Sequence, residues 1–198
     1  MVFFFKFEDM KKPLFYFIFF LQVVYSQNSG NDIDTLIANF ARTQYTYPDS
    51  SYYYIQKAVG IAQKQKNNFQ LSNCFFYLGR YYYNQGNPSK AKSWITRSLY
   101  IARKINNNKA LALNNNLLGL IEMDKGSYTN SLQFLLISLD IADKNNLSKN
   151  KCNALNNLGT LYEMQKDTIK ALKCYSDNVK IATPMASSMA LPVIRRPC

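Results

Sequence analysis

The stretch Leu78-Gly79-Arg80-Tyr81-Tyr82-Tyr83-Asn84-Gln85-Gly86-Asn87-Pro88-Ser89-Lys90-Ala91 decides the fold. Gly86 ends an apolar-periodic run, because glycine readily takes the left-handed conformation that closes a helix. Asn87 can then cap a second helix through its side-chain oxygen. Pro88 takes that helix's first position, where a missing N–H costs nothing. The pattern predicts helix A from about Leu71 to Gln85 and helix B from Pro88. The phrase also recurs. Leu118-Gly119 and Leu158-Gly159 follow Leu78-Gly79 at 40-residue steps, and Ile61-Ala62, Ile101-Ala102, Ile141-Ala142 and Ile181-Ala182 keep the same step. A fixed period of roughly 20–50 residues marks a stacked repeat array. The second unit repeats the stop and cap with Gly126 and Ser127. The third has Asp167 as cap but Lys166 in the glycine's place.

Small residues mark close helix approaches. A helix-interior Gly costs roughly 1 kcal/mol against Ala, so Gly79, Gly119 and Gly159 are expected to make room for a neighbour. Ala91, Ser131 and Ala171 hold the matching register on helix B. Around them Leu78, Tyr82, Ile95 and Leu99 recur as Leu118, Leu135 and Leu139, then as Leu158, Tyr162, Tyr175 and Val179. Spacings of three, four and seven put these on one apolar face per helix. Stacking buries faces that one pair cannot bury alone. The expected architecture is all-α: a right-handed superhelical solenoid of antiparallel helix pairs.

These residues resemble the tetratricopeptide repeat, whose signature runs Leu-Gly, then Tyr, then Ala and a large apolar residue. Leu78-Gly79, Tyr82, Ala91 and Ile95 match it, as do Leu158-Gly159, Tyr162, Ala171 and Tyr175. The middle unit departs, with Glu122 for Tyr and Ser131 for Ala. Phe75, Asn115 and Leu155 replace the signature's leading Trp. The period here is longer than the family's usual one by six residues, which implies a helix B extended by more than one turn. Long arrays of this kind resemble those of kinesin light chain and of bacterial peptide-sensing regulators. They are most similar to the extracytoplasmic arrays of Bacteroidetes-type sensor kinases and transcription regulators. The likeness covers about residues 32–183.

The expected organisation follows from the same period. Residues 32–69 form a degenerate N-terminal repeat or cap, with Ile33, Leu36, Ile37, Phe40 and Ala41 on one helical face and Tyr52, Ile55, Ala58, Val59 and Ala62 on another. Residues 70–183 hold the repeats, at about 71–109, 110–149 and 150–183. Pro184, Pro192 and Pro197 break the pattern, so 184–198 is expected to be an irregular tail, disordered or belonging to a truncated or frameshifted member of a longer family. At the other end, Met10-Lys11-Lys12 precedes the apolar run Pro13–Leu21, and Val24 and Ser26 stand where a signal peptidase would look for small residues. Residues 1–26 therefore read as a secretory signal peptide, with Met10 an alternative start. The apolar run is shorter than the roughly 20 residues that span a bilayer, which favours cleavage over a retained membrane anchor. The expected location is secreted or periplasmic, with no membrane span in the mature chain.

Composition narrows the chemistry. The chain carries a net charge of +12 and no His. Without His there is no His-dependent triad, His metal site or histidine phosphoacceptor. Lys and Arg are dispersed without a block of five, which argues for a solvated basic surface over a nucleic-acid patch. Cys74, Cys152, Cys174 and Cys198 form no C-x-x-C pair, so free thiols are favoured. No pair of carboxylates faces a base, so no enzyme, cofactor or metal site is expected.

Recognition is expected on helix A, on the face away from the Leu-Gly packing. That face carries Asn73, Phe76, Arg80 and Tyr83 in the first unit, Asn116 and Leu120 with Met123 in the second, and Asn153, Asn156, Asn157, Thr160 and Glu163 in the third. An Asn amide both donates and accepts, which suits an extended peptide, and Arg80 can pair with a carboxylate. The resemblance implies Asn116 and Asn156 as holders of peptide backbone. Three consecutive tyrosines, as at 81–83, scatter over about 200° of a helix, which points to core and groove rim and not to one stacking platform. The expected function is a non-catalytic extracytoplasmic scaffold that binds a peptide or protein on its concave A-helix face, as the sensory portion of a signalling protein. The alternative is an assembly subunit that docks or self-associates through an uncapped C-terminal helix pair.

Overall fold

The computed structural model describes residues 32–189, with side chains as far as 183. The signal peptide assigned to 1–26 and the residues after 189 lie outside this range. Among the described residues every regular element is a helix: α1 (32–43), α2 (Pro48–Lys64), α3 (Asn68–Asn84), α4 (Pro88–Lys104), α5 (Asn108–Asp124), α6 (Tyr128–Lys144), α7 (Ser148–Met164) and α8 (Thr168–Met189). The chain divides into two compact units, which meet in sequence between Gln65 and Lys66. In the first, Ile33 and Phe40 on α1 and Ile55, Ala58 and Ala62 on α2 are fully buried. Ala41, expected on the buried face, is exposed.

The helices α2 to α7 are all 17 residues long and start at 48, 68, 88, 108, 128 and 148. The 40-residue period is therefore two equal steps of 20. This corrects the expectation of a long helix B: the extra residues divide evenly between the two helices of a pair. It also moves helix A, which runs Asn68–Asn84 and not from Leu71.

The turns explain the equal steps. Each three-residue connector places its middle residue in the left-handed region: Lys66, Gly86, Asn106, Gly126, Asn146 and Lys166 have φ of 52°, 68°, 53°, 75°, 53° and 61°. In the α3–α4 turn the Gly86 N–H donates to the Tyr83 carbonyl at 2.9 Å and the Asn87 N–H to the Tyr82 carbonyl at 2.8 Å. That pair of bonds is the Schellman closure, which satisfies carbonyls otherwise left bare at a helix end. The same bonds recur at Gly126 and Ser127, Asn146 and Leu147, and Lys166 and Asp167. The last connector residue is also the next helix's N-cap. Asn87 Oδ1 accepts from the Lys90 N–H at 3.0 Å, Asn107 from Ala110 at 3.1 Å and Asp167 from Lys170 at 3.1 Å. Ser127 sits at this position but makes no side-chain cap bond, so that expectation is met in place and not in contact.

In the second unit each helix packs on the next in the chain. In addition α3 touches α5 and α5 touches α7, whereas α4, α6 and α8 do not touch one another. The odd helices thus form the inner, concave layer and the even helices splay on the outer side. The expected close approaches are present. A Cβ on Gly79 would fall 2.5 Å from Ile95 Cδ1, one on Gly119 would fall 2.6 Å from Leu135 Cγ, and one on Gly159 would enter the Tyr175 ring. Between pairs, Phe76, Leu99, Leu117 and Ile121 join one core cluster. Met123, Leu135, Leu158 and Leu161 form the next.

Polar groups also hold the pairs together. Ser98 Oγ donates to the Ser72 carbonyl at 2.7 Å, and one period later Ser138 Oγ donates to the Ala112 carbonyl at 2.8 Å. Asn114 Nδ2 bonds Ser98 Oγ at 2.8 Å in the fully buried interior. Asn114 Oδ1 and Ser131 Oγ are buried without a partner. The middle unit's departure from the signature has a local explanation. Lys90 lies 5.3 Å from the Tyr82 ring centre and Lys170 lies 5.4 Å from that of Tyr162. Glu122 replaces the tyrosine, Asn130 replaces the lysine, and the Glu122 carboxylate pairs instead with Lys92 of α4 at 3.0 Å.

The α8 helix continues through Pro184 to Met189, where irregular chain was expected. Proline removes one N–H donor, but its fixed φ of about −65° is close to a helical one.

Candidate peptide-binding face

Helices α3, α5 and α7 lie side by side, and two polar rungs cross between them. Tyr83 O–H donates to Asp124 Oδ2 at 2.7 Å, and Asn157 Nδ2 donates to Asn116 Oδ1 at 3.0 Å. Each rung joins a residue to one 41 positions along, one full period plus a residue. A third contact of this kind runs from Asn150 Nδ2 to the Lys109 carbonyl at 3.4 Å. Burial, then the hydrogen bond to Asp124 and its negative charge, push the Tyr83 phenol above its ordinary value of 10.0.

The expected site residues separate into three groups. Phe76 is 6% exposed and packs in the core with Leu117 and Ile121. Its ring is engaged in joining α3 to α5, so it presents almost nothing to a ligand. Leu120 is half-buried between the two core clusters. Tyr83, Asn116 and Asn157 belong to the rungs. Asn73, half-buried, bonds Gln70 at 3.5 Å, and Arg80 is half-buried on the same helix. On α7, Asn153 and Asn156 are exposed. Thr160 Oγ1 donates to the Asn156 carbonyl at 3.2 Å. Glu163 Oε2 accepts from the Tyr175 O–H at 2.8 Å, which draws it toward α8.

Sequence reasoning missed Asp124, the partner that fixes Tyr83, and Tyr175 as the partner of Glu163. A shift of 41 was the available sign for the first, since Tyr83 and Asp124 differ by one period plus one. Among the described residues no group of three or more His, Cys, Asp or Glu is placed to hold a metal. Cys74 is buried, Cys152 and Cys174 are half-buried, and all three are free thiols. Burial, with the Asp177 charge, raises the Cys174 thiol above its usual range.

A stack of antiparallel helix pairs with an inner layer of mutually bonded helices is a helical-repeat scaffold. Residues 109–183 match the tetratricopeptide repeat family. The crystal structure of BtubC (BKLC) from P. vanneervenii is similar at 15% identity, over 86% of this chain and 96% of that one, with a TM-score of 0.39. No curated protein matches the chain. Tetratricopeptide repeats are protein–protein interaction scaffolds, and no described helix is long and apolar enough to cross a membrane.

Proposed function

We propose that the second unit is a non-catalytic scaffold that binds an extended peptide or a protein segment across α3, α5 and α7. The observation that carries this reading is the pair of rungs, Tyr83–Asp124 and Asn157–Asn116. They hold three helices at a fixed spacing and leave the exposed amides of Asn153 and Asn156 beside them. Fixed polar groups on rigid elements bind with little ordering cost. The N-terminal apolar run supports an extracytoplasmic setting, and the likeness to sensor arrays supports a role as the input portion of a signalling protein. A peptide array probed with the mature chain tests this reading. Binding should fall at least tenfold when Arg80, Asn116 and Asn156 are all changed to Ala. Peptide binding unchanged in that triple variant would remove the concave face as the site.

One observation favours a second reading, docking through the last helix pair. On α8, Ile169, Leu172 and Val179 are 83%, 63% and 63% exposed. The α6 equivalents of two of them, Leu132 and Leu139, pack on the neighbouring core cluster. Light scattering that shows a monomer at high concentration would count against self-association through this face.

A further inference from the structure

Cations dispersed along the sequence gather on one outer helix of the second unit. Helix α4 carries Lys90, Lys92, Arg97, Arg103 and Lys104 and no carboxylate, whereas no other described helix has more than three cations. Among the described residues, Lys92 alone of the α4 cations forms an ion pair, with Glu122 at 3.0 Å. Arg97, Tyr100, Arg103 and Lys104 are exposed. Their spacing of three to four residues places them along one ridge about 10 Å long. Two aromatic rings hold this ridge in place. The Arg97 guanidinium lies 4.6 Å from the centre of the Trp94 ring, which in turn packs on Phe75 at 5.2 Å, and Lys104 Nζ lies 4.4 Å from the centre of the Tyr100 ring. A guanidinium laid flat on a ring keeps its N–H edge for an oxyanion.

The repeat supplies its own comparison. One or two periods on from Tyr100, Arg103 and Arg97 stand Asp140, Asp143 and Asp177. Each of these carboxylates pairs with a lysine: Asp140 with Lys144 at 2.8 Å, Asp143 with Lys151, and Asp177 with Lys180 at 3.0 Å. Where α6 and α8 balance their lysines, α4 places Tyr and Arg, and its charge stays unbalanced. We propose that this outer face of α4 docks an acidic segment of a partner protein, apart from the face built by α3, α5 and α7. Carboxylates fit the two guanidinium groups through a fork of parallel bonds. Width decides between anionic partners. On the next outer helix, α6, Lys144 is the single cation and is already paired, so the positive strip is one helix wide. A peptide segment covers such a strip. A nucleic-acid duplex or a membrane surface would reach across α6, which offers it no unpaired cation.

Fluorescence anisotropy on the full chain tests the proposal, with a labelled Glu-Ala peptide carrying Glu at every third or fourth position as the probe. The wild type is expected to bind it at low salt and to release it as salt rises. Arg97→Glu with Arg103→Glu is expected to weaken binding by about tenfold or more, and Arg97→Gln with Arg103→Gln to weaken it less. Lys149→Glu with Lys173→Glu makes the same change in net charge at exposed positions elsewhere in the unit and is expected to leave binding nearly unchanged. So is the triple change of Arg80, Asn116 and Asn156 to Ala, which separates this face from the concave one. Both charge-reversed pairs alter exposed side chains, so their circular dichroism is expected to match the wild type. Equal weakening by the two pairs would overturn the assignment to α4, because net charge alone would then account for the binding. A wild type that does not bind the peptide at low salt would overturn the proposal outright. Tighter binding of duplex DNA, or of vesicles containing phosphatidylglycerol, that is lost in the Arg97 and Arg103 variant would give the face to that polyanion instead.

Discussion

Six positions spaced 20 residues apart must all adopt a left-handed backbone, and only Gly86 and Gly126 among them lack a Cβ. Asn106 and Asn146 tolerate this conformation better than most residues. Lys66 and Lys166 have no such ease. An L-residue held there costs roughly 1–2 kcal/mol, and glycine returns part of the gain as backbone entropy. Lys166→Gly should therefore stabilise the last helix pair by about 0.5–1 kcal/mol, read as a raised urea midpoint. This device was only half legible in the sequence. Glycine announced two of the turns and the cap Asp167 a third, but without glycine at 66, 106 and 146 the two halves of each period did not show as equal steps. That is why the period appeared as 40 when the structural step is 20. Phe76 escaped for a related reason. An apolar residue on one helix's face does not reveal which neighbouring helix will cover it, and α5 covers this one.

At the scale of elements, packing follows the small residues and polarity follows the rungs. The Leu-Gly register could be read as a close approach because a helix-interior glycine needs a reason. The rungs could not be read, because their partners lie 41 residues apart, one more than the period that the repeated residues display. The Tyr83–Asp124 rung carries a pH signature. Its phenol is raised above 10.0 in the folded chain, so the folded form keeps a proton that the unfolded form releases. The stability from this group is complete below pH 10 and drains away as pH rises beyond it. Urea midpoints measured from pH 8 to pH 11 should fall more steeply in the wild type than in Tyr83→Phe. Equal slopes would mean that the rung does not survive in solution.

For the second unit as a whole, stability is a sum over pairs and the interfaces between them. Nearly all its contacts join neighbouring or next-neighbouring helices, so a fault in the middle separates the two ends. Gly119 is the place to make one. A methyl there meets Leu135 Cγ at 2.6 Å, and overpacking of this kind costs typically 1–3 kcal/mol, more than the roughly 1 kcal/mol that alanine adds to helix stability. Gly119→Ala should lower stability by about 1–2 kcal/mol and broaden the unfolding transition, as the α3–α4 and α7–α8 pairs begin to melt separately. A transition that shifts without broadening would show that the unit unfolds as one block.

The connectors carry one more lesson. Asn87, Asn107 and Asp167 each finish one helix and begin the next, so these joints contain no slack. One residue inserted there would turn every later helix by about 100° about its own axis and swing its apolar face away from its neighbour. Point changes can therefore accumulate while length cannot drift. Such a chain can lengthen or shorten only by copying or deleting whole helices, like a sentence edited a clause at a time.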